Sequence, residues 1–245
     1  MTSKKLIVYV NSRNKIAGVD NDFSYKIQLP PNNNYTQMCL LQALIPKTYY
    51  LIQSGYNTFN VQESAGITEV SIPVGNYTFK ALKTVLQTQL NAILGYTYTV
   101  SIPAPGTQTD TGKISFTVSD NAGYQPTFIM PNSGNMYEVL GFEKGISYTF
   151  NSDALSSVNV CKLQLEDALF IHCDAVDNTS DDILQDVYSY TNDFSSIVFQ
   201  QFDVANYSKP LRTNKNNVYR FSIRNEEKEL IGLNGLNTVL TLMFF

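Results

Sequence analysis

The sequence predicts a mainly β, antiparallel sandwich carrying a small α/β insertion. Two observations carry this. Apolar residues alternate with polar ones at a period of two near both ends of the chain, and one internal segment switches to the helical period. The composition agrees: hydrophobic residues make up 43%, charged residues only 16%, and 16 Tyr and 14 Phe stand beside no Trp. Charge is low against the roughly 25% of ordinary soluble domains, and Asn, Ser, Thr and Gln replace it. Aromatic and β-branched residues among neutral polar ones suit strands with one apolar and one hydroxylic face.

The elements follow in order. LIVYV (6–10) is a first strand, and FSYKIQL (23–29) a second, with Phe23, Tyr25, Ile27 and Leu29 alternating with polar residues. Pro30, Pro31 and the Asn run 32–34 break it. MCLLQALIP (38–46) is almost continuously apolar, as a central strand buried on both faces would be. TFNVQE (58–63) and EVSIPV (69–74) follow. Then Phe79, Leu82, Val85, Leu86, Leu90, Ile93 and Leu94 recur at spacings of three and four, one face of an amphipathic helix. Thr78 suits its N-cap and Gly95 its C′ position.

A hairpin of 96–102 and 113–119 comes next, with 126–131 pairing onto it and a short helical turn from Tyr137 ending at Gly141. Strands resume at 147–150, 158–165, 168–173, 196–202, 218–224 and 238–245, separated by polar loops at 174–194 and 203–217. The predicted organisation is therefore a sandwich of residues 1–75 and 146–245, with 76–145 as an α/β insertion. About ten strands of this length imply two packed antiparallel sheets.

Several chemistries are disfavoured. A net charge of −4 and a pI near 5.0 leave no nucleic-acid footprint. The basic residues Lys4, Lys5, Arg13 and Lys15 form a solvated face, not an arm. Cys39, Cys161 and Cys173 have no metal-ligand spacing and are expected to be buried, reduced thiols. MTSKKLIVYVN is too short an apolar stretch for a signal peptide or membrane span.

His172 is the single histidine, followed by Cys173 and Asp174. Neighbours on a strand point to opposite faces, so His172 and Cys173 cannot act as base and nucleophile, and a structural histidine is expected. The acidic run Asp174, Asp177, Asp181, Asp182 and Asp186 lacks the ligand pattern of a calcium loop and is expected to be solvated. GTQTDTGK (106–113) has five residues between its glycines and Ile114 after its Lys, so it is not a phosphate-binding loop. No catalytic, cofactor-binding or metal-binding residue is expected.

Three stretches carry a family resemblance: FSYKIQLPPNNNYTQMCLLQALIPKTYYLI, then VSIPVGNYTFKALKTVLQTQLNAIL followed later by YEVLGF, then NVYRFSIRNEEKELIGLNGLNTVLTLMFF. Their order resembles the penton, or minor capsid, proteins of virophages and polinton-like DNA viruses. The resemblance implies a single jelly roll that forms homopentamers at the vertices of an icosahedral virion, beside a double jelly-roll major capsid protein. It further implies a virion protein with no enzymatic activity, made in the host cytoplasm or virus factory. Two alternatives stay open at this point: another virion protein (spike, cement or small major capsid protein), or a jelly-roll carbohydrate-binding attachment module.

Overall fold

A computed structural model describes residues 5–30, 35–102, 111–164, 168–177, 182–189, 195–212 and 217–245. In chain order it contains β1 (Leu6–Asn11), β2 (Ala17–Val19), β3 (Asp22–Lys26), β4 (Gln37–Pro46), β5 (Thr58–Glu63) and β6 (Gly66–Ser71). Helix α1 (Phe79–Ile93) precedes β7 (Thr97–Ser101), β8 (Ser115–Ser119), β9 (Thr127–Ile129), α2 (Met136–Val139), β10 (Ser147–Thr149) and β11 (Ala154–Ser156). The last stretch holds β12 (Ala168–Cys173), β13 (Ile183–Tyr188), β14 (Ser196–Gln200), α3 (Val204–Tyr207), β15 (Lys209–Pro210), β16 (Val218–Arg224) and β17 (Val239–Phe244). The chain divides into two compact units, Met1–Tyr49 with Glu166–Phe245, and Tyr50–Leu165.

In the first unit one sheet runs β1-β17-β4-β14, with β15 also on β4, and the other runs β13-β12-β16-β3-β2. Setting aside the short β2 and β15, eight strands remain. Numbered along the chain, they lie first–eighth–third–sixth in one sheet and second–seventh–fourth–fifth in the other, all antiparallel. That order is a jelly roll, two Greek keys wound together. Both chain ends are tied in, because β1 pairs with β17 from Leu6↔Phe244 to Asn11↔Val239.

The inward faces meet in an apolar core that includes Val10, Leu40, Ile45, Leu242, Phe221 and Ile171. The Tyr219 and Phe244 rings, one from each sheet, meet edge to face at 5.9 Å. Strand β4 is central, as its apolar run predicts, yet it is not buried on both faces throughout. The register of β4 against β17 slips between Thr241 and Leu242, leaving Leu41 as an extra residue. The slip exchanges the faces: Met38 and Leu40 point inward before it, Ala43 and Ile45 after it, while Gln42 and Leu44 are exposed. A bulge thus accounts for a run that reads as doubly buried.

The second unit has a sheet β10-β9-β5-β6 and a sheet β11-β8-β7. Helix α1 packs against β6 and β7 and buries Leu82, Leu86 and Leu90 completely. Its start is as predicted: the Thr78 side chain accepts from the Ala81 N–H at 3.3 Å. Its end is not. Gly95 does not adopt the left-handed conformation; the Glu63 carboxylate instead accepts from the N–H groups of Gly95 (2.8 Å) and Tyr96 (3.2 Å). Around Phe128 gather the rings of Phe116 (4.9 Å), Phe150 (5.2 Å) and Phe59 (5.4 Å).

Four expectations differ from the structure. The unit boundaries fall at 49/50 and 165/166, where 75/76 and 145/146 were expected, because β5 pairs with both β6 and β9, and β9 with β10. Residues 126–131 consequently do not pair onto the β7–β8 hairpin; β11 does. Residues 158–164 form no strand, since Asn159, Cys161 and Lys162 donate to the carbonyls of Gly141, Gly112 and Glu138. The polar stretch 174–194 contains a strand, β13, whose Leu184 and Val187 are buried against the roll. Residues 106–110 of the rejected phosphate-loop lookalike lie outside the described residues, as do Lys4, Pro31, the Asn run 32–34 and Asp181.

Candidate binding surfaces

Strand alternation gives the second sheet of the roll a polar outer face. On β16 the buried Tyr219, Phe221 and Ile223 alternate with Arg220, Ser222 and Arg224. Ser222 lies opposite His172 of β12 on one side and Asp22 of β3 on the other, so the three share a row. The outcome for the histidine is as its position implies: His172 is half-buried and lines an outer cleft, while its neighbour Cys173 is fully buried. Burial pushes the Cys173 thiol strongly up, and the thiol of Cys161 up to about 11. None of the three cysteines is in a disulfide.

The cleft has a volume of about 270 Å³ and is lined by His172, Asp174, Asp182, Arg220, Ser222, Arg224 and Lys228. Arg220 holds Asp22 in a two-pronged contact, Nε at 2.7 Å and Nη2 at 2.5 Å, and its backbone N–H donates to Asp174 at 2.9 Å. The hydrogen bond from Arg220 is the main reason the Asp22 carboxyl titrates below its ordinary range, with the charges of Arg220 and Arg224 adding to it against the cost of burial. Asp182 is paired with Arg212 at 2.9 Å, and Asp177 lies 3.6 Å from the same guanidinium. Both carboxylates nevertheless stay well exposed. Among the described residues no three His, Cys, Asp or Glu side chains stand together as a metal site. The cleft escaped sequence reading, although the alternation of Arg220, Ser222 and Arg224 in VYRFSIR was its visible signal.

The first sheet has an outer face of opposite chemistry. Its register places Asn11, Val239, Leu44 and Val198 in one row, and Tyr9, Thr241, Gln42 and Gln200 in the next; none is charged. Tyr9 is 72% exposed and Val198 74%, and Phe202, just beyond β14, is 86% exposed. No helix among the described residues is long and apolar enough to cross a membrane.

No family model matches the chain, and no curated protein matches it. Among solved structures it is similar to the penton protein of mavirus, with 16% sequence identity, coverage of 98% of this chain and 99% of that one, and a TM-score of 0.44.

Proposed function

We propose that the chain is a capsid vertex protein of the penton, or minor capsid, type, five copies of which close a ring in an icosahedral virion. The observation that carries this reading is the uncharged outer face of the first sheet, with Tyr9, Val198 and Phe202 exposed on a jelly roll whose two ends are locked together. A ring of this kind uses heterologous contacts, one flank of each copy against a different flank of the next. Apolar and neutral polar side chains supply such contacts with little charge to desolvate. The resemblance of the three sequence stretches to virophage and polinton-like pentons supplies the number five and the major capsid protein as the neighbour. On this reading the protein's work is geometric, it resides in the virion after synthesis in the host cytoplasm or virus factory, and it catalyses no reaction.

Native mass spectrometry of the purified protein, with imaging of particles from infected cells, tests the reading. A pentamer, and density at five-fold vertices, is the expected result. A protein that stays monomeric and is absent from particles overturns it, and a trimer within particles reassigns it as a spike or a small major capsid protein.

A further inference from the structure

We propose that the cleft on the outer face of the second sheet binds a small oxyanion, of the phosphate, sulfate or carboxylate type, with Arg224 as its anchor. The proposal stands on the cleft alone and is independent of the vertex reading.

Arg224 is held rigidly without being neutralised. Its Nε donates to Ser222 Oγ at 3.0 Å and its Nη1 to the Lys228 carbonyl at 2.6 Å, both uncharged acceptors. Among the described residues it forms no ion pair. A guanidinium fixed along two of its nitrogens has already lost much of its rotamer freedom, and the remaining Nη2 is offered to a ligand at small entropic cost.

The acids nearby do not cancel this charge by direct contact. Asp22 is engaged by both prongs of Arg220, and Asp182 by Arg212. Asp174 accepts the Arg220 N–H. Among the described residues, the charged side chains that line the cleft are Arg220, Arg224, Lys228, Asp174 and Asp182. A guanidinium held beside a serine hydroxyl offers donors suited to planar and tetrahedral oxyanions. At about 270 Å³ the cleft falls just below the range of drug-sized pockets, which suits a small anion or the anionic end of a compact molecule.

The test uses the full chain and four probes: inorganic phosphate, inorganic sulfate, acetate, and glucose 6-phosphate as a phosphate carried on an organic body. Binding is followed by calorimetry and by backbone amide shifts. Saturable binding of at least one probe is expected, with the largest shifts at residues 222–228, and it should weaken as sodium chloride rises. Tighter binding of glucose 6-phosphate than of inorganic phosphate identifies a ligand-borne group, and the reverse identifies a free ion; either supports the site. Arg224→Gln should weaken binding about tenfold, the size of one charge-assisted hydrogen bond. Asp182→Asn, a change on the surface that leaves the sheet untouched, should strengthen binding, because it removes a negative charge from the lining and releases Arg212. Absence of saturable binding for all four probes overturns the proposal. So does an unchanged affinity in Arg224→Gln, or an unchanged or weaker affinity in Asp182→Asn.

Discussion

The Tyr98 hydroxyl donates a 2.9 Å hydrogen bond to Oε1 of the buried Glu63, the same carboxylate that closes the C-terminal end of helix α1. One side chain from β5 thereby fixes the helix end and β7 together. Burial, and then the bond to Glu63, raise the Tyr98 phenol far above the ordinary tyrosine range.

Removing this hydroxyl in Tyr98→Phe leaves a buried charged acceptor short of a partner and should cost about 1.5–3 kcal/mol in urea denaturation. Glu63→Ala should cost more, since it also strips the partners of the Gly95 and Tyr96 N–H groups. The pH dependence has a defined sign. The folded-state pKa lies above the unfolded value of 10.0, so the contribution is complete below pH 10 and declines as the pH rises past it. Tyr98→Phe should therefore flatten the alkaline limb of the stability profile, and an unaltered limb would assign that limb to other groups.

Asp22 predicts the opposite limb. Its carboxyl is held below the ordinary value of 3.8, chiefly by the hydrogen bond from Arg220, so its contribution is present above that pH and fades as the pH falls through the folded pKa. Asp22→Asn should cost about 1 kcal/mol near neutrality, a modest amount because the Arg220 side chain is largely exposed. The difference from the parent protein should vanish in strong acid, as followed by thermal melts across the acid range.

Packing in the second unit is open to two substitutions. Leu86→Ala removes a fully buried side chain from α1 and should cost about 2–5 kcal/mol. At Gly141, φ is +73° and an added Cβ would lie 2.4 Å from the Asn159 carbonyl oxygen. Gly141→Ala should thus destabilise by more than the roughly 1 kcal/mol of an ordinary left-handed penalty. Both are read from denaturant midpoints at constant slope.

The assembly reading predicts a separation of stability from oligomer state. Val198→Asp and Phe202→Asp change exposed side chains and should alter the monomer's stability by no more than about 0.5 kcal/mol. If the uncharged face forms ring contacts, the same variants should shift native mass spectra toward monomer. Rings that persist in both variants would place the contacts elsewhere on the roll.

Local patterns along the chain mark which segments become strands or helix. Period two was enough for β3 and β16, short apolar runs for β1, β12 and β17, and the three-and-four spacing for α1 and its Thr78 cap, because these signals depend only on neighbours along the chain. The sequence also placed His172 and Cys173 on opposite faces. Tertiary structure decided the partners. Whether TFNVQE joined the roll or the inserted unit depended on β9, more than sixty residues later, and no local pattern encodes that choice. The same holds for ILQDVY, whose acidic surroundings read as a loop until β12 supplied its hydrogen bonds. Val158 and Val160 are the converse: they alternate like a strand, yet no sheet edge pairs with them and both stay exposed. The cleft needed the fold most of all, since His172 and Arg224, which line it, are distant in sequence. They meet because antiparallel register aligns β3, β16 and β12 across one face, and electrostatic partners are chosen by distance in space.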